Sequence, residues 1–328
     1  MNYSRIYAGE LLKTLIRENL NRHERGQLPD IALIGSRRSG STLLMQMMAA
    51  THGVKFVNQP LSPFSGPPHQ AVRLLRFYND FFLCADDWIK NELKEYVAAI
   101  STGELRLDEP WRFWRPDFHF RTNRIVLKLT DSGYLRNLFS EMNIYCVDFL
   151  RHPLHQAISC ERNRWADGVQ AFIRCDEFLE STLNQRQRAE VFRVAGSGDY
   201  FQKLLLSWIL ENIPVLRDAS KTRSRVYFED FLERSETIFR RLCSYLLLDY
   251  DRGIRAIDRP SYSTRRHSDS ASKTSITSGT TLQSTIARHQ QIDQERKARL
   301  QSLLDLFEVQ DYNAFELKPR YVCYVPDD

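Results

Sequence analysis

The residues best able to do chemistry run from Gly35 to Thr42, as Gly35-Ser36-Arg37-Arg38-Ser39-Gly40-Ser41-Thr42. They fit the frame G-x-x-x-x-G-x-[ST] of a phosphate-binding loop. Glycines let such a backbone curl, its N–H groups converge, and the helix that follows presents its positive end. The hydroxyls of Ser39, Ser41 and Thr42 add donors, and Arg37 and Arg38 supply charge. Where a nucleoside triphosphatase requires lysine to reach the β- and γ-phosphates, this chain has Ser41. That loss disfavours γ-phosphate chemistry. By itself the loop also has an ordinary reading, a Ser/Gly-rich turn with solvated arginines.

A second group is Arg151-His152-Pro153 with Ser159 eight residues after the arginine. An arginine at the carboxyl end of a strand, beside a helix N-terminus, lies in the crevice where open α/β sheets bind ligands. His155, Ser159 and Arg162 share one helical face. Arginine plus hydroxyl suits a second phosphate held away from the first loop. Taken alone, the pair reads as a surface arginine and a serine bonding its own backbone.

The elements that must position these groups follow from periodicity. Residues 6 to 23 have helical spacing, and Ile31 to Ile34 is a short apolar run bounded by Gly35, the pattern of a buried parallel strand. Leu43 to Ala50 reads as a helix and Val54 to Val57 as a strand, followed by a proline-rich loop from Pro60 to Pro68. Helical patterns cover 70 to 84 and 86 to 100, and Trp111 to Phe120 is irregular. Strands are predicted at Ile125 to Leu129, Ile144 to Leu150 and Arg225 to Phe228. Helices are predicted from Pro153, over Leu204 to Leu216, and over Phe231 to Leu246. Alternating strands and helices imply an α/β fold, a P-loop-like parallel sheet flanked by helices. Met45, Met47 and Met48 read as core. Residues 261 to 285 are predicted to form a hydroxyl-rich loop carrying Arg265, Arg266 and Lys273. A final helix spans about 285 to 307, with a tail to 328.

A chain of 328 residues, 42% of them hydrophobic, suits one large domain over residues 1–328. The net charge of +5 suits an anionic small ligand and does not argue for nucleic acid. No apolar run approaches the roughly 20 residues of a membrane span. Cys84, Cys146, Cys160, Cys175, Cys243 and Cys323 lack metal-ligand spacing, so no metal site is expected. Scattered thiols point to a reducing, cytoplasmic setting.

In combination the motifs carry a resemblance. Arg38-Ser39-Gly40-Ser41-Thr42-Leu43-Leu44 resembles the 5′-phosphosulfate loop R-S-G-[ST]-T-x-L of sulfotransferases that use 3′-phosphoadenosine 5′-phosphosulfate (PAPS). Arg151-x-Pro153 with Ser159 resembles that family's 3′-phosphate motif. Val226-Tyr227-Phe228-Glu229-Asp230-Phe231 resembles its R-Y-E-D-L segment, and Ile238 to Leu248 its F-L-G-L close. The landmarks come in family order over roughly residues 31 to 250. The resemblance implies a sulfotransferase-type fold and metal-independent in-line transfer of the PAPS sulfuryl group to a hydroxyl or amine of a small-molecule or carbohydrate acceptor, with PAP as product. It also implies that Arg37 to Thr42 cradle the 5′ end and that Arg151 with Ser159 holds the 3′-phosphate. Tyr227 and the C-terminal Arg265 and Arg266 would contribute further nucleotide contacts.

Catalytic assignments follow the same resemblance. Lys128 matches the lysine of the family's K-T-H segment and is the candidate cation at the leaving group; a strand-end lysine reaching solvent is the plain alternative. The family's general base is missing at both usual positions. Thr130 stands where K-T-H has histidine, and Gln59 stands where carbohydrate and tyrosyl-protein sulfotransferases place glutamate. Gln59 can hold an acceptor hydroxyl without taking its proton. His69, Asp131, Asp108 and Glu109 are the candidate bases elsewhere, unless the acceptor is acidic enough to need little help or turnover has been lost. A P-loop kinase or NTPase is the competing enzyme class, with Asp148 ending a Walker-B-like strand. A PAPS-binding protein without turnover is the non-enzymatic one. Trp111 and Trp114 with Arg112 and Arg115 could line an acceptor pocket, core packing being their ordinary use.

Overall fold

A computed structural model of the chain describes residues 11, 13–16, 18–64, 68–218, 223–257, 259, 261, 264 and 270–326, without the side chains at 68, 69, 271 and 272. The expected Arg265 and Arg266 contacts lie outside these residues, as does the side chain of His69.

Short apolar strands form the centre. Strand β1 (Arg22–His23) pairs in parallel with β4 (Arg121–Thr122) as a small separate ribbon. The main sheet holds β2 (Ile31–Ile34), β3 (Val54–Asn58), β5 (Arg124–Leu129), β6 (Tyr145–Leu150) and β7 (Ser224–Tyr227), in the order β3-β5-β2-β6-β7, all parallel. All four residues of β2 are buried, because this central strand is covered on both faces. On one face it meets α1 (Ser41–Ala49), α5 (Pro153–Arg162), α9 (Tyr200–Leu216), α11 (Ser235–Leu246) and α15 (Gln294–Leu306), through residues such as Leu44, Leu154, Trp208, Phe239 and Leu304. On the other it meets α3 (Asp87–Ser101) and α4 (Arg136–Glu141), through Leu93, Val97, Ile100 and Phe139. The chain is thus α/β, a five-stranded parallel sheet flanked by helices, as the alternation predicts. Chain direction diverges on either side of β2, so the carboxyl ends of β2 and its neighbours form the expected ligand crevice.

Three expectations are corrected. The hydroxyl-rich segment is not a loop over its described part, which forms α13 (Ser270–Thr277) and α14 (Thr281–Gln291). Its hydroxyls bond back to carbonyls of the preceding turn, as Thr277 does to Thr274 at 3.0 Å and Thr285 to Thr281 at 2.8 Å, so they do not compete with the helix. The single C-terminal helix is two, because Asp293 accepts from the Arg296 N–H at 2.8 Å and caps α15. The segment between α5 and α9 folds as α6 (Val169–Ile173), α7 (Asp176–Thr182) and α8 (Gln185–Ser197), which periodicity did not reveal. The tail closes the far edge of the sheet, with Tyr324 bridging Arg225.

The acid of the Walker-B-like strand has a structural job. Asp148 is buried and grips Arg136 with both oxygens, at 3.0 and 2.5 Å, and Asp218 also meets that guanidinium at 3.0 Å. Asp148→Ala would leave Arg136 buried with one carboxylate, so a loss of about 3 kcal/mol is expected in urea unfolding. An unchanged midpoint would contradict this.

Candidate functional site

The carboxyl ends of β2, β3, β5 and β6 open into a cavity of about 880 Å³. Its wall includes Arg37, Arg38, Gly40, Ser41 and Thr42 from the first motif and Arg151 and Ser159 from the second, together with Gln59, Lys128 and Thr130. The two motifs, more than a hundred residues apart in sequence, are therefore brought to one site.

They are also bonded to each other. Arg38 donates from Nε to Ser159 Oγ at 2.9 Å, and Arg151 donates from Nη1 to the Arg38 carbonyl at 2.9 Å. Gln156, one residue type not singled out by the sequence, donates to the Arg37 carbonyl at 2.8 Å. With these carbonyls held by α5 and Arg151, the loop curls with its amides on the other side. Among the described residues the N–H groups of Arg37 and Gly40 have no protein acceptor. Gly40 has φ of +98°, and a Cβ there would lie 2.7 Å from the Phe228 ring, so the close approach requires glycine.

Arg151 is half-buried on the cavity wall. Desolvation lowers its pKa to about 10, partly offset by Glu229. Glu229 directs its oxygens elsewhere, accepting from the His152 N–H at 3.0 Å and from the Tyr312 hydroxyl at 3.3 Å. The Arg151 guanidinium lies 4.8 Å from the Phe228 ring centre, and its buried Nε has no partner among the described residues. Such a cation is set up for an anion.

Lys128 is buried and lines the cavity. Desolvation pushes its ammonium down to about 8, while Asp131 and Asp108 act against that shift. Its Nζ has no hydrogen bond or ion pair among the described residues. Gln59 also lines the cavity; its N–H donates to the Lys128 carbonyl at 2.8 Å.

Other expected site residues stand elsewhere. Asp131 does not line the cavity; its carboxylate binds Arg37 at 2.5 and 2.7 Å, which removes it as a free base and ties the Arg37 side chain to the turn after β5. Glu109 is buried against Lys55 at 2.7 Å, and Asp108 accepts from Asn58 at 3.1 Å. Ser39 is a brace beneath the loop, donating to Ser41 Oγ at 3.2 Å. Tyr227 is a core residue whose hydroxyl donates to Asp311 and so anchors the tail; its neighbour Phe228 is the one on the cavity wall. Trp111 and Trp114 meet edge to face outside the cavity.

The sequence points to the hydroxyl-rich residues 263 to 285 as closing over the nucleotide, but not to the helices that roof the cavity or to Arg288 and Gln291. Thr285, Arg288 and Gln291 of α14 and Ser275 of α13 line the cavity. A histidine contact attaches α14 to α5, with His155 Nε2 and His289 Nδ1 3.2 Å apart, and desolvation lowers the pKa of both. Behind the loop, Glu211 of α9 is half-buried and its pKa is raised to about 8 by desolvation and by Asp131. Neither feature has a motif; each is visible only once the helices are packed.

Gly40→Ala is expected to destabilise the protein by about 1–3 kcal/mol through forced backbone strain. Gly196→Ala, in α8 with nothing within 4 Å of an added Cβ, should be neutral or stabilising by about 0.4–1 kcal/mol. Equal unfolding midpoints for the two variants would contradict the geometry of the loop.

No family model matches the chain. No curated protein matches it either. Among solved structures, the chain is similar to the sulfotransferase domain from the curacin biosynthetic pathway, at 14% identity and a TM-score of 0.41, covering 86% of this chain and 99% of that one. A likeness that distant carries no argument about this chain, whose chemistry has to be read from its own residues.

Proposed function

We propose that the chain is a sulfotransferase that takes PAPS as donor and passes its sulfuryl group to a hydroxyl or amine acceptor. The observation that supports this reading most is that two cationic groups share one cavity and are bonded through Arg38: a lysine-free glycine turn, and a half-buried arginine with a helix serine.

The residues present fit a nucleotide with phosphates at both ends. The orphaned Nε of Arg151 and the Cβ-excluding turn at Gly40 are what such a ligand would use. When bound, PAPS supplies the sulfuryl group: the acceptor atom bonds to sulfur, the bond from sulfur to the 5′-phosphate oxygen breaks, and PAP keeps that electron pair. The amides of Arg37 and Gly40 and the Thr42 hydroxyl would hold the 5′ end. Ser159 already accepts from Arg38, so its own O–H remains to donate to a 3′-phosphate oxygen beside Arg151. Lys128 places a positive charge where negative charge accumulates during transfer, in a site shielded from water.

The kinase reading loses its main residue, since Asp148 is paired with Arg136 inside the sheet.

Calorimetry with PAP tests the nucleotide reading. Arg151→Ala should weaken binding on the order of 10- to 100-fold, the range for hydrogen bonds to charged groups. Binding of wild type and variant with equal affinity would sink the second anchor. A pH series adds a sign. Lys128 has its ammonium pushed down to about 8, and a bound anion favours the protonated form. Affinity should therefore be flat below pH 8, fall above it, and be accompanied there by proton uptake. Lys128→Met should flatten that dependence; a wild-type affinity that rises with pH would contradict the assignment.

A further inference from the structure

Lys128 presents a buried ammonium to the cavity, and no carboxylate among the described residues is bonded to it. The two acids that favour its charge are engaged, Asp131 by Arg37 and Asp108 by Asn58. Its neighbours at the sheet edge, Gln59 and Thr130, are neutral. Arg37 and Arg38 line the same wall from the loop after β2, while Glu211 on α9 stands behind that loop and outside the cavity. Of the remaining acids and histidines on the cavity wall, Asp293 caps α15, His155 bonds to His289, and Glu236 is exposed on the first turn of α11; the other charged groups there are the cations Arg151, Arg162, Arg255, Arg288 and Arg296. The corner at β5 thus holds one buried cation, Lys128, without a bonded carboxylate among the described residues.

A neutral alcohol entering such a corner has to lose a proton as it attacks, and a cation beside it does not accept one. An anionic nucleophile has the opposite difficulty. It approaches a donor that is itself anionic, and in a low-dielectric site that repulsion is large unless a cation lies nearby. A buried ammonium without a bonded partner is the group that offsets it, and the incoming anion in turn relieves the ammonium.

We propose, resting on the PAPS reading above, that the acceptor enters already ionised, as an acidic hydroxyl of phenol-like acidity, and that Lys128 is the cation holding its oxyanion. The oxyanion's electron pair forms the bond to sulfur, the bond from sulfur to the 5′-phosphate oxygen breaks, and PAP carries that pair away. No proton has to be removed. One ammonium has three N–H donors and can serve both the entering and the departing oxygen.

The test measures sulfated product and PAP release by the full chain with PAPS. The acceptors are 4-nitrophenol, largely ionised at neutral pH, phenol, which ionises near pH 10, and 2-phenylethanol. With 4-nitrophenol, kcat/KM should rise as the acceptor ionises around neutral pH and fall above pH 8 as Lys128 loses its proton; phenol, which ionises only where Lys128 is already neutral, should be turned over more slowly, and 2-phenylethanol not at all. Lys128→Met should lower kcat/KM for 4-nitrophenol about 100-fold. Lys128→Arg, which keeps the charge and cannot act as a base, should recover a substantial part. His69→Ala should leave the profile unchanged. A 4-nitrophenol rate that rises through pH 8 instead of falling, with Lys128→Arg inactive, would make Lys128 the base and overturn the proposal; so would loss of turnover in His69→Ala, or turnover of 2-phenylethanol as fast as 4-nitrophenol. Calorimetry with PAP on the same preparations separates the two readings. PAP bound without any turnover of phenols sinks this inference alone, whereas failure to bind PAP sinks the donor assignment beneath it.

Discussion

Arg151 carries its charge half-buried on the cavity wall, and the carboxylate that favours it, Glu229, is bonded to His152 and Tyr312 instead. Burying a guanidinium this way costs several kcal/mol unless its donors are used. One of them closes on the Arg38 carbonyl, and that bond shapes the glycine turn. The ring of Phe228 lies beneath both, 4.8 Å from the guanidinium and close enough to Gly40 to exclude any side chain there. A single half-buried cation therefore sets the loop and the packing behind it.

The sheet contributes strain at the same place. Arg38, Gln59 and Asp131 follow three neighbouring strands, and all adopt positive φ, at 65°, 51° and 60°. Side chains other than glycine adopt this conformation at a cost, and it persists where the surroundings over-determine it. Here the determinants are visible: Arg38 is bonded to Ser159, the Gln59 carbonyl accepts from Gln70 at 2.8 Å, and Asp131 is locked to Arg37. Each of these turns the chain sharply at the crevice, so that Lys128 and Gln59 share a wall with the loop.

How much of this was legible in the sequence depends on the kind of interaction. Ile31 to Ile34, Ile125 to Leu129 and Ile144 to Leu150 announced the strands because a sheet covered on both faces demands continuous apolar runs. The glycine turn and the Arg151/Ser159 pair were legible because they depend on local spacing. Asp148 and Tyr227 were misleading for the same reason: a strand-end acid and a motif tyrosine look functional until their partners, Arg136 and Asp311, arrive from distant parts of the chain. Asp131 as a base failed likewise once Arg37 closed on it. The roof was hidden because Ser and Thr are weak helix formers, and only packing against the cavity and the His155–His289 contact make α14 an ordered wall.

The central claim is that one nucleotide is gripped at both ends by two anchors joined through Arg38. Difference electron density from a crystal soaked with PAP tests it most directly. It should show the 5′-phosphate against the amides of the Gly35–Thr42 turn and the 3′-phosphate against Arg151 and Ser159. Density for the nucleotide lodged elsewhere, with Arg151 facing solvent alone, would contradict it.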